Sequence, residues 1–218
     1  MDTEPARPKL RRDAQRSVEK LKAAAVEVFA EFGLNCPLEE IARRAGVSPG
    51  TLYHRFGSRE GLIDAVVPDV AAARLAGAVR YADEGTDPWQ RFVRYVEQIS
   101  ALMAGDPALS DVITRRYADT PRLSAVCEET FANGHTLLVA AQQAGAVRTD
   151  ITAQDLTLLF WSSAAQARAT AEIAPDIWRR GLALTLDGLR TDAAHPLPVA
   201  PLDAGQALAA MHHLADEA

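Results

Sequence analysis

Apolar residues recur at three- and four-residue intervals along nearly the whole chain, and no stretch shows the alternation of a half-buried strand. A first helix is predicted over residues 17–32, where Leu21, Ala25, Val28, Phe29 and Phe32 share a stripe and Gly33 is placed to end it. Residues 38–45 read as a short second helix, with Leu38, Ile41, Ala42 and Ala45 on one side and Pro37 suited to its first turn. Gly46 then breaks the pattern. Ser48 offers an N-cap, with Pro49 at the first position of a third short helix over 49–55. A fourth spans 59–81 on Leu62, Ile63, Val66, Val67 and Val70, with a break anticipated near Pro68. A fifth carries Phe92, Val93, Val96, Ile99, Leu102 and Met103, and a short segment then runs to about Tyr117. Helices over 122–144, 153–171 and 176–191 follow. The prolines of 195–201 forbid continuous helix and predict an extended linker before a weakly patterned last helix at 202–214. The expected fold class is all-α, with about nine helices.

Charge adds a division that hydropathy does not show. Lys and Arg total 23 against 29 Asp and Glu, a formal net charge of -6, which speaks against a non-specific nucleic-acid coat. Residues 1–67 nevertheless carry net +1, and residues 68–218 carry -7. Within 7–16, Arg7, Lys9, Arg11, Arg12 and Arg16 face only Asp13. That suits either a solvated tail or an arm lying on a phosphate backbone or in a minor groove.

Composition narrows the class. A chain of 218 residues makes one or two domains and buries roughly 70% of its surface. With 48% hydrophobic and 24% charged residues, disorder throughout is ruled out. No apolar stretch approaches the ~18 residues of a membrane span, and residues 1–4 lack the basic flank of a signal peptide. Cys36 and Cys127 read as two reduced thiols. The expectation is a cytoplasmic protein without a membrane partner.

The informative stretch is LEEIARRAGVSPGTLYHRF, Leu38 to Phe56. Two short helices joined by Ala45-Gly46-Val47-Ser48 fit a helix-turn-helix, in which glycine tolerates the tight turn and Leu38, Ile41, Ala42, Val47 and Leu52 pin the helices together. In that geometry the second helix enters the major groove N-terminus first, bringing Ser48, Pro49, Gly50 and Thr51 close to DNA. Gly50 costs about 1 kcal/mol relative to alanine in a helix, so close approach of backbone to phosphate is one reason for it. An ordinary helical hairpin can use the same turn.

Residues 17–67 resemble the N-terminal domain of the TetR family of transcriptional regulators. The resemblance rests on Ala24-Ala25…Phe29-Ala30…Gly33, Ile41-Ala42…Ala45-Gly46-Val47-Ser48, Gly50-Thr51-Leu52-Tyr53…Phe56 and Ser58-Arg59-Glu60…Leu62. It implies a DNA-binding head over 17–67 behind a flexible basic arm at 1–16. A ligand-binding and dimerisation body over 68–192 and a Pro-containing extension over 193–218 would follow. Trp178…Leu182-Ala183-Leu184…Leu186-Asp187-Gly188-Leu189-Arg190 resembles the subgroup with an SbtR-like C-terminal domain.

The resemblance also assigns roles. Thr51 can donate to a base edge or a phosphate, and Tyr53 matches a tyrosine that touches the backbone, with core packing as its rival. His54 is either a DNA contact or a surface histidine. Arg59 stands where the family commonly has lysine, suited to a phosphate, and Arg43 and Arg44 either brace the DNA backbone or form a solvated face. Cys36-Pro37 departs from the usual Thr or Ser at the start of the second helix, removing a hydroxyl that would reach a phosphate.

For the body, the resemblance implies a homodimer through the eighth and ninth helices, with Ser162, Ala165, Leu182, Leu186 and Leu189 at the interface. Such a dimer reads a palindromic operator in double-stranded DNA. Val96, Ile99, Met103, Tyr117, Phe131, Phe160 and Trp161 are candidate walls for a largely apolar small-molecule effector, although each also suits plain core. No zinc-ligand spacing, phosphate loop or nucleophile elbow is present, so neither a metal, a cofactor nor catalysis is expected. The reading is a ligand-released repressor, against a helical ligand-binding or protein-interaction module that no longer binds DNA.

Overall fold

The structure, a computed structural model, describes residues 6–216. Ten α-helices follow one another among these residues: α1 (Ala6–Phe32), α2 (Leu38–Ala45), α3 (Pro49–Phe56), α4 (Arg59–Asp83), α5 (Pro88–Gly105), α6 (Pro107–Thr114), α7 (Pro121–Gln143), α8 (Ala153–Thr170), α9 (Ile177–Gly188) and α10 (Ala204–Asp216). The fold is all-α. Its one β feature among the described residues is an isolated bridge between Val147 and Arg190, which ties the α7–α8 loop to the end of α9.

Local chemistry sets most of the boundaries. Gly33, Gly46, Gly57 and Gly145 take positive φ where helices end, a conformation that costs glycine little. Ser58, Asp87 and Asp106 accept amide hydrogens at the starts of α4, α5 and α6, and Thr152 with Asp155 forms a capping box on α8. Pro68 lies buried inside α4 without ending it. Neighbouring helices on both sides supply the packing that offsets the lost hydrogen bond.

Two ends differ from the sequence expectation. α1 begins at Ala6 rather than at residue 17, so most of the anticipated arm is helix; residues 1–5 lie outside the described part. Alanine, lysine, leucine, arginine and glutamine dominate that stretch and favour helix, and Pro8 falls in the first turn, where it is tolerated. α9 stops at Gly188, and a short 3₁₀ turn follows. Residues 194–203 form no helix, as the prolines require. α10 then packs against α6 and α8 through Ala207 and Met211.

A single apolar cluster runs from head to body. Leu21, Val28, Phe29, Ile41 and Leu52 belong to the same buried set as Leu62, Phe92, Ile99, Leu138, Phe160 and Leu186. α4 links the two parts, and α1 also rests on α6. At that junction the Asp111 carboxylate of α6 accepts the Leu34 amide at 2.7 Å. A Cβ on Gly33 would lie 2.7 Å from Asp111 Oδ2, so only glycine fits there.

Candidate nucleic-acid interface

α2 buries Leu38, Ile41, Ala42 and Ala45 and turns at Gly46, whose φ of 68° is left-handed. The Val47 amide closes the turn on the Ala42 carbonyl at 3.0 Å. α3 follows with only Leu52 fully buried. Ser48, Pro49, Gly50, His54 and Arg55 are exposed, Thr51 is half-buried, and Tyr53 keeps 47% of its surface open. Full burial therefore accounts for one residue of α3, and five of its eight, Pro49, Gly50, Tyr53, His54 and Arg55, are presented to solvent. Tyr53 lies outside the core; Leu52 and the half-buried Phe56 pack there instead.

Ser48 stands at the N-cap position, yet its side chain makes no capping bond. Its hydroxyl pairs with that of Thr51 at 3.0 Å, so the sequence expectation is met in backbone geometry and not in the side chain. Pro49 carries no amide hydrogen and the Thr51 amide donates to the Ser48 carbonyl at 3.0 Å, so of the first three residues of α3 only Gly50 can offer an amide to an incoming acceptor. A Cβ on Gly50 would meet only Ser48 Oγ, at 3.9 Å. No packing inside the protein requires glycine there.

The cations are held differently. Arg43 donates to Glu40 at 2.8 and 2.6 Å, and Arg44 pairs with Glu31 at 2.8 Å and with Glu40 at 3.3 Å. Hydrogen bonding from Arg43 holds the Glu40 carboxyl below the ordinary carboxylate range. Arg59 is half-buried, and its Nη1 donates to the carbonyls of Leu34 at 2.9 Å and Cys36 at 2.6 Å. It thus braces the α1–α2 turn. The Cys36 thiol is pushed up by burial, with Arg59 pulling the other way. Pro37 is the N-cap residue of α2 and offers no side-chain cap. Arg55, which the sequence reading passed over, is exposed on α3, without an ion pair among the described residues. Its position one turn after Thr51 was the available signal.

In the body, the proposed walls separate. Tyr117 and Phe131 line one cavity of about 540 Å³ between α7, α8 and α10. Met103 lines another of about 520 Å³ where α6 and α8 meet the end of α1. Val96, Ile99 and Phe160 are buried in the common core, and the Trp161 indole donates to the Thr114 carbonyl at 2.8 Å. The walls supplied by α10 went unread because only Ala207 and Met211 mark its inner face.

The interface residues separate too. Ser162 and Ala165 are exposed on α8. Leu182 and Leu186 are buried within the protomer, and Leu189 is half-buried. The open apolar positions of this region are Leu158, Ile173, Ile177 and Leu184. Among the described residues no acidic, His or Cys cluster could hold a metal ion, and no helix is long and apolar enough to cross a membrane.

Residues 21–66 match the model for bacterial regulatory proteins of the tetR family, and residues 87–191 match the model described as transcriptional regulator SbtR-like, C-terminal domain. The chain is 30% identical over 148 residues to the HTH-type transcriptional regulator UidR of Escherichia coli K12, covering 64% of this chain and 73% of UidR. It is 34% identical over 87 residues to the HTH-type transcriptional regulatory protein RaaS of Mycobacterium tuberculosis, a match spanning 39% of this chain and only 41% of RaaS. The fold is shared with the transcriptional regulator FadR of Bacillus subtilis, at TM-score 0.57 and 18% identity over 82% of this chain and 100% of that one. A head of α1–α3 with this turn, a helical body and these relatives lead to one conclusion: the chain belongs to the TetR family of transcriptional regulators.

Proposed function

We propose that the protein is a dimeric, ligand-responsive transcriptional repressor that binds palindromic operator DNA through α3. The observation that carries this is the open face of α3, formed by Pro49, Gly50, Tyr53, His54 and Arg55, on a head otherwise fastened to the core. Ser48, Pro49, Gly50 and Thr51 would approach the DNA at the helix N-terminus, with Tyr53, His54 and Arg55 along its open face. Arg43 and Arg44 would reach phosphates only by exchanging their glutamate partners. A largely apolar effector in the body would shift the relation of the two heads and release the operator, with α8 and α9 pairing the subunits.

One observation favours the other reading, a module that no longer binds DNA: three of the head's arginines are already occupied inside the protein. A single experiment decides. Duplexes retained by the protein from fragmented genomic DNA of its source are sequenced, and the best is titrated with salt. The repressor reading expects a palindrome with half-sites about one helical turn apart and a steep, linear dependence of log affinity on log salt. Retention of no common sequence would overturn it.

A further inference from the structure

We propose that α10 is a strap over an effector site for an anionic amphiphile, and that it carries occupancy of that site to the DNA-binding head. The inference rests on the regulator reading above and places its ligand beneath the C-terminal extension. The cavity of about 540 Å³ lies within the roughly 300–1,000 Å³ of small-molecule sites. α7 and α8 form its floor, including Phe131 and Thr157, and α10 forms its roof with Leu208, Met211 and His212.

Arg116 sets the charge of the occupant. Its guanidinium lies 5.0 Å from the Phe131 ring centroid, and its Nη1 is held by the carbonyls of Val112 and Arg115. It has no carboxylate partner among the described residues. The acid in the lining, Glu128, is exposed to water. A half-buried cation over an aromatic floor, beside apolar walls, suits a molecule with one carboxylate or sulfonate and a flat or aliphatic body.

The strap is lightly fastened. α10 has two buried side chains in thirteen residues and follows a helix-free stretch. Among the described residues two hydrogen bonds reach its backbone from other elements: the Met211 carbonyl accepts the Arg116 amide at 3.1 Å, and the Ala215 carbonyl accepts Asn35 Nδ2 at 3.3 Å. The first tie is at the cavity. The second is in the α1–α2 turn, between the two carbonyls that Arg59 holds. One short helix therefore touches both the site and the head.

The probe is 8-anilinonaphthalene-1-sulfonate, an anionic aromatic amphiphile, titrated into the full chain by fluorescence and followed by amide hydrogen exchange. Saturable binding is expected, with altered exchange both in α10 and at residues 33–36. Arg116→Gln should weaken binding about tenfold, the scale of a lost hydrogen bond to a charged group. Arg116→Lys keeps the charge but loses the fork that holds the Val112 and Arg115 carbonyls, so it should bind more weakly than wild type and more tightly than Arg116→Gln, which separates lost charge from lost packing. Asn35→Ala should bind within about twofold of wild type and confine the exchange response to α10. Failure to bind, equal binding by Arg116→Gln, or an undisturbed α10 would overturn the site; a response at 33–36 surviving in Asn35→Ala would overturn the strap. No step uses DNA, so these failures stand apart from any failure to find an operator.

Discussion

Arg59 shows how far the work of one guanidinium depends on what folds beside it. At the start of α4 it suits a phosphate, yet its Nη1 serves the carbonyls of Leu34 and Cys36. Arg59→Ala should lower stability by about 2 kcal/mol in a denaturant titration, the scale of hydrogen bonds to a charged group. The salt dependence of DNA binding should stay unchanged; a slope smaller by about one would instead assign Arg59 to a phosphate. Asp111 makes a second long-range clamp, accepting the Leu34 amide and pairing with Arg115 at 3.0 Å. Burial still raises its carboxyl above the ordinary range, outweighing Arg115 and the amide. A carboxyl that titrates higher when folded stabilises the fold in its protonated form. That contribution is full below the unfolded value of about 3.9 and is lost as pH rises through the folded value. Asp111→Asn, which cannot ionise, should flatten this decline in thermal melts as pH rises above about 4; an unchanged slope would remove Asp111 as its source. Neither clamp was legible in the sequence, because each joins segments whose meeting is decided by helix packing and not by spacing.

At the scale of elements, most of the fold could be read directly. The helix-ending glycines Gly33 and Gly46 act locally, and the structure keeps them in those places. The unexpected start of α1 and the expected, weakly patterned α10 have opposite causes. α1 extends to Ala6 on intrinsic helix preference, with no apolar stripe to announce it. α10 forms on tertiary contact, with an inner face of only two residues. α3 raises a different question, because Gly50 is unfavourable in a helix and nothing in the protein fills the space its Cβ would take. Gly50→Ala should therefore raise stability by about 0.5–1 kcal/mol in thermal melts. If backbone approach to a phosphate is the reason for glycine, the same variant should bind operator DNA several-fold more weakly, at roughly the cost of one displaced contact. Greater stability with undiminished affinity would leave Gly50 without a role in binding.

For the whole molecule, the proposed dimer turns on which apolar stripe would face a second subunit. α9 explains why sequence could not settle the matter, since it carries two stripes. Trp178, Leu182 and Leu186 turn inward and are buried, while Ile177 and Leu184 turn outward and remain open. Helical spacing identifies both and says nothing of which partner each meets. On α8 the exposed Leu158, Ser162 and Ala165 fall at intervals of four and three residues, one face of a helix. Close packing of α8 on α9 is already enforced at Gly181, where a Cβ would collide with Gln166. The dimer reading therefore rests on Leu158 and Leu184 together with Ser162 and Ala165, and Leu182 and Leu186 support that surface from behind. Leu184→Arg should shift the mass in light scattering from twice 23.5 kDa to 23.5 kDa. It should also weaken operator binding by about a hundredfold, since two half-sites would no longer be engaged together. Leu182→Ala is the contrasting variant: it should cost about 2–5 kcal/mol of stability through the cavity it leaves, with the dimer mass retained. If Leu182→Ala dissociates the dimer and Leu184→Arg does not, the inward and outward stripes are assigned the wrong way round.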